Sequence, residues 1–276
     1  MIGWLLAAGI VVGAVVLYPK LHGERAAPYV PPVPPPVLPA PAQTIDPAHP
    51  FAGSPADQYA SGAAGIRLPK ATAKGRFSAR QVAEALTLAK SYLVAADLDR
   101  DTVTGRSVEA VRALLDPLGP RPAFDADLRP PKVEGMLNWL SRFKPGETAL
   151  VGTTIKVNGS TTYKLQAADE LVVHMDYLVV YPVQRARSAD QETTRVIVRH
   201  IFDFSTFYHR NTTRGKLWPT EWDEYASGVR CNTHDGFLHP DYPRDLTGGG
   251  GHGPVRDPYD QTQPPPNERC GRVSHV

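Results

Sequence analysis

The sequence predicts an α+β domain: about three helices packed on an antiparallel sheet of four or more strands, set between two irregular arms. Three observations carry that prediction. Apolar residues recur at helical spacing between residues 77 and 143, and the period shortens to two between residues 148 and 208. Of the 28 prolines of the chain, 21 lie before residue 70 or after residue 216. Helices followed by a run of consecutive strands form layers, the helices covering one face of the sheet. With 276 residues and 42% hydrophobic side chains, the chain can bury one substantial core.

The first element is Ile2 to Tyr18, which holds no charge and as a helix spans ~26 Å, the lower limit for crossing a bilayer. Trp4 and Tyr18 stand at its two ends, where amphipathic rings favour the membrane interface. The following "HGERAAP" places a glutamate, an arginine or a proline where signal-peptide cleavage needs small residues, so residues 1–19 are expected to remain as an anchor, a cleaved signal peptide and a buried soluble helix being the alternatives. Lys20 and Arg25 follow the segment, which by the positive-inside rule favours a cytoplasmic domain. Two features oppose this. The tract Tyr29 to Pro41 reads as a stiff polyproline spacer of roughly 40 Å. The only cysteines, Cys231 and Cys270, are an even pair in the irregular tail, as an oxidising compartment favours. If paired, they close a loop of about 39 residues, worth ~4 kcal/mol in the chain-entropy model; the alternative is two unrelated thiols. The expectation is an extracytoplasmic domain.

Residues 20–76 read as a Pro-rich linker without apolar period. At Ser78 the signals change: Ser78 is an N-cap, Gln81 completes a capping box, and Phe77 can staple onto Val82. Val82, Leu86, Ala89, Leu93 and Ala96 then form one apolar stripe, predicting a helix over about 79–97. A second helix is expected from the cap Ser107 to Asp116, where Pro117 stops it. A third is expected from Lys132 to Phe143, with Val133, Met136, Leu137 and Leu140 inward. The intervening "GPRPAFDADLRPP" is too broken for more than a short strand. From Thr148, "ALVGTTIKV" and "STTYKLQA" flank Asn158-Gly159, a pair suited to a type I′ hairpin turn. "ELVVHMDYLVVYPVQ" and "TTRVIVRHIFDFSTFY" complete a four-strand meander. The domain is thus expected over 77–210, with an irregular tail over 211–276.

This order of an N-terminal anchor, a spacer, a long helix ending "SYLVAADLD", two short helices and a four-strand sheet resembles the cystatin-like cone fold of nuclear-transport-factor-like domains. In anchored form it resembles the extracytoplasmic mammalian-cell-entry-associated membrane proteins of actinobacteria. The resemblance covers roughly residues 77 to 208 and implies fold and location, but no functional residues.

Candidate chemistry is sparse. His174 and Asp176 lie in phase on one strand, and His200 shares a face with Val196, Val198, Phe202 and Phe204 on the next. On the concave face of a cone these three could form a proton-transfer pocket, the alternative being structural histidines bonded within the sheet. Asp97, Asp99 and Asp101 have calcium-loop spacing, but Thr102 stands where the turn needs Gly and Val108 where a bidentate Glu belongs, so they read as a solvated connection. His209, His234, Asp235, His239, Asp241 and His252 show no recognised zinc spacing, and no metal or cofactor is expected. A net charge of +2 without a run of five or more basic residues gives no sign of a nucleic-acid footprint, and none is expected. The sequence therefore leads to a non-enzymatic, membrane-anchored, extracytoplasmic binding or assembly module, with the membrane (through residues 2–18) and another envelope protein as partners. A pocket enzyme or small-ligand binder is the alternative.

Overall fold

The capping signals at Ser78 and Gln81 are realised in the computed structural model, which describes residues 44–130, 133–187, 192–208, 212–231, 233–245 and 256–264. The elements in chain order are β1 (Ala60–Ser61), α1 (Ala79–Asp97), α2 (Arg100–Val103), α3 (Glu109–Arg112), α4 (Pro120–Asp127), β2 (Thr148–Leu150), β3 (Lys156–Ala167), β4 (Glu170–Arg185), β5 (Thr193–Phe207) and β6 (Trp218–Ser227), with short 3-10 turns between some of them. The Ser78 side chain accepts from the Gln81 amide while the Gln81 side chain accepts from the Ser78 amide, so α1 begins with a closed capping box. Its buried stripe includes Val82, Leu86, Ala89, Leu93 and Ala96 as expected, joined by Tyr92 and Asp97.

The remaining helices are shorter than expected and differently placed. The segment over 107–116 holds only the single turn α3, and Lys132–Phe143 holds a 3-10 turn over Val133–Asn138. The stretch expected to be too broken instead forms α4, because Pro120 sits in the first turn, where its missing N–H and fixed φ cost nothing. Met136, Trp139 and Leu140 are nonetheless buried, so the third apolar run packs without a regular helix.

The sheet is antiparallel throughout, in the order β1-β3-β4-β5-β6, with β2 also on β4. The expected turn at Asn158-Gly159 does not form: Asn158 pairs with Leu178 and Gly159 with Tyr177 inside one continuous strand. A Cβ at Gly159 would lie 2.2 Å from the Asp176 carbonyl oxygen and 2.6 Å from the Tyr177 ring, so glycine is needed there for close approach and not for a turn. The chain reverses instead between Ala167 and Glu170. Upstream, β2 and β3 run end to end along the same edge of β4, interrupted by a loop in which Gly152 takes φ +70°. The two expected strands around residue 158 are one strand, and the fourth long strand is β6, within the segment expected as irregular tail.

Alternation along β4 gives the sheet two apolar faces. Leu171, Val173, Met175, Tyr177, Val179, Tyr181 and Val183 join α1, Trp139 and Phe143 in the main core. Leu178 and Val180, with Ile197 of β5, face the other way and meet Phe51, Ala56 and Tyr259. Residues from both expected arms therefore pack on the domain, and Ala42–Val276 forms one compact unit, wider than the expected 77–210. Among the described residues no helix is long and apolar enough to cross a membrane; the expected anchor over residues 2–18 and the polyproline tract lie outside them.

Candidate functional site

The three side chains expected to share a pocket are divided by the sheet. In the β4–β5 ladder His174 stands opposite Asp203 and Tyr177 opposite His200. Side chains alternate faces along a strand, so His200 joins the main-core face with Tyr177, while His174 and Asp176 face away from α1. The possible pocket of His174, Asp176 and His200 is therefore not assembled. His174 Nδ1 lies 2.5 Å from Asp203 Oδ1, and that bond, together with the Asp203 charge, raises the His174 pKa despite partial burial. Asp176 forms a bidentate pair with Arg199, at 2.9 and 2.7 Å, which raises the pKa of the arginine. Arg199 also donates to the Gln261 and Gln263 carbonyls, so this pair holds the C-terminal arm against the sheet.

His200 is fully buried, and so is its partner. Its Nδ1 lies 2.8 Å from Asp97 Oδ1 and its Nε2 3.0 Å from the Leu137 carbonyl. Both ring nitrogens face acceptors, an arrangement that suits the doubly protonated imidazolium. Burial opposes that charge; the Asp97 carboxylate, through its charge and its hydrogen bond, outweighs burial and the His200 pKa is raised. Asp97 Oδ1 also accepts from Ser141 Oγ at 2.7 Å, and the Asp97 carbonyl accepts from Tyr181 at 2.9 Å. The cluster thus ties the end of α1, strands β4 and β5, and the 137–141 segment into one knot. Asp97 was expected in a solvated connection; only its neighbours fit that reading, Asp99 capping α2 and Asp101 pairing with Arg106. The signal for Asp97 was its phase, since it follows Leu93 by four residues on the apolar side of α1.

A second polar knot lies in the tail. His239 is buried with Nδ1 3.0 Å from Glu147 and Nε2 2.9 Å from Asp235, and Asp235 also pairs with Lys144 at 2.9 Å. Arg230 completes the network through Glu147. Burial raises the Asp235 pKa, but its hydrogen bonds to His239 and Lys144 prevail and bring it down to about 2. Next to Arg230, Cys231 is disulfide-bonded. Cys270, the only other cysteine of the chain, lies outside the described residues, as do His209 and His252. Among the described residues no group of three or more His, Cys, Asp or Glu side chains is placed to hold a metal ion.

Two concavities are lined by described residues. One, of about 650 Å³, lies between residues 47–52 and the loop joining β2 to β3. The other, of about 830 Å³, lies between the solvent-facing stripe of α1 and residues 205–208, 212–216 and 218. Neither contains His174, Asp176 or His200. No protein-family model matches the chain, and neither does any curated protein or solved structure.

Proposed function

We propose that the chain is a single-pass membrane protein, anchored by residues 2–18 and spaced by the polyproline tract, whose α+β domain serves outside the cell as a non-enzymatic binding or assembly module of the envelope. The observation that carries this reading is the disulfide at Cys231, since structural disulfides persist in oxidising compartments and are rare in reducing ones. The histidines support the non-enzymatic part, because His200 is sealed in the core by Asp97 and Leu137, while His174 is held by Asp203. A long capped helix followed by short helical turns and an antiparallel sheet is the order that suggests the cone fold of extracytoplasmic mammalian-cell-entry-associated proteins. Another envelope protein is the partner this reading implies, and it requires no cofactor.

Protease added to intact cells tests the reading. The domain is expected to be cut from outside without permeabilisation, and a periplasm-type reporter fused after Val276 is expected to be active. Full protection of the domain, with a reporter active only in the cytosol, would overturn it.

A further inference from the structure

The larger groove is a built feature with a chemistry of its own. Along α1, Arg80, Glu84, Thr87, Leu88 and Ser91 recur at three- and four-residue spacing, forming one wall opposite the core stripe. The facing wall is fixed from behind. Buried Asp116 accepts from the Thr213 amide and hydroxyl, and Leu217 is hydrogen-bonded in register with Leu114 and Asp116. Partly buried Phe207 and Trp218, edge to face with centroids 6.1 Å apart, supply apolar surface together with Leu88. The charges are unequal: Arg80, Arg214 and Lys216 line the groove against Glu84 alone, Glu84 is engaged by Arg80 at 3.0 Å, and Lys216 Nζ spends one of its three N–H donors on the Ala113 carbonyl at 2.5 Å. An excess of cations thus stands beside aromatic and aliphatic surface. The volume of about 830 Å³ lies within the range of ~300–1,000 Å³ common for small-molecule sites.

We infer that this groove binds an amphiphilic anion, an apolar chain or ring bearing one phosphate or carboxylate. The apolar body lies on Leu88, Phe207 and Trp218, and the anionic head meets Arg214 and Lys216. The inference is independent of the orientation of the domain.

Calorimetry on the full chain in phosphatidylcholine nanodiscs, referenced to empty discs, tests it with octyl phosphate as the probe. Saturable binding is expected, with inorganic phosphate binding about 100-fold more weakly and octyl glucoside about tenfold more weakly, as loss of the apolar and charged parts requires. Arg214→Glu, a reversal at an exposed position, is expected to weaken octyl phosphate binding by about tenfold or more. Thr87→Trp, which fills the groove from the exposed side of α1, is expected to abolish it. Both variants should keep the wild-type unfolding midpoint. The proposal fails if octyl phosphate gives no saturable heat, if neither variant changes its binding, or if inorganic phosphate binds as tightly, which marks an adventitious ion only. It also fails if a photoreactive group at position 87 crosslinks to residues 1–43 or to a second copy, since the groove then holds protein.

Discussion

His200 is the residue on which the chemistry of the core turns. With no solvent access, its charge is balanced by Asp97 at hydrogen-bond distance, with the Glu224 charge adding to it, and a buried pair of this kind is costly to break on one side only. His200→Ala leaves the Asp97 carboxylate in the core without its cation and is expected to lower unfolding free energy by about 3–5 kcal/mol in urea titrations. The pH dependence has a definite sign. The folded-state pKa of His200 lies above the ordinary 6.5, so its stabilising contribution is complete below about 6.5 and is lost as pH rises through the raised value. His174, also raised, contributes in the same direction, so the comparison must isolate His200. The urea midpoint of the wild type is expected to fall with rising pH more steeply than that of His200→Gln, whose side chain does not titrate. Equal slopes would mean that His200 does not carry its charge in the folded protein.

At the level of elements, what the sequence revealed and concealed follows the range of the interactions. The start of α1 is encoded within four residues, and the structure places it where Ser78 and Gln81 demand. Ser78→Ala removes the acceptor for the Gln81 amide and is expected to destabilise the domain by about 1 kcal/mol, read as a shift in the denaturant midpoint. Gly159 shows the opposite case. Beside Asn158 it has the composition of a turn, yet the approach of Tyr177 from the neighbouring strand decides its role, and that contact is invisible before the register is known. Gly159→Ala is expected to force β3 from β4 and to cost about 1–3 kcal/mol, whereas a turn glycine replaced at Gly152 touches nothing within 4 Å and meets only its φ of +70°. The same limit hid β6, whose "WPTEWDEYAS" lacks the alternation of a half-buried strand, though Trp222 stacks on Trp139 with centroids 4.7 Å apart. It also separated His200 from His174 and Asp176, since the facing of each strand is fixed by pairing and not by the residues themselves.

For the whole molecule, the unusual feature is that segments far apart in sequence cover one sheet face together. Phe51, Ala56 and Tyr59 come from before α1 and Tyr259 from after β6, and they meet over Leu178, Val180 and Ile197. Arg195 reaches the Pro50 and Ala52 carbonyls at 2.6 and 2.8 Å, and Arg199 the Gln261 and Gln263 carbonyls, so two sheet arginines hold the two arms. This cover has few apolar residues compared with the main core and closes long loops, which places it among the regions that open before global unfolding. Tyr259→Ser removes most of the C-terminal share of the apolar contact. It is expected to expose Leu178, Val180 and Ile197, raising fluorescence of an apolar dye and speeding proteolysis after residue 245, while the far-ultraviolet spectrum and the main unfolding transition remain. Reducing the Cys231 disulfide is expected to act in the same direction, because it frees the tail while the His239 knot with Glu147 and Asp235 still holds residues 233–241. If Tyr259→Ser instead shifted the whole transition by as much as His200→Ala, the two faces would unfold as one cooperative unit, and the cover would have to be counted as part of the core.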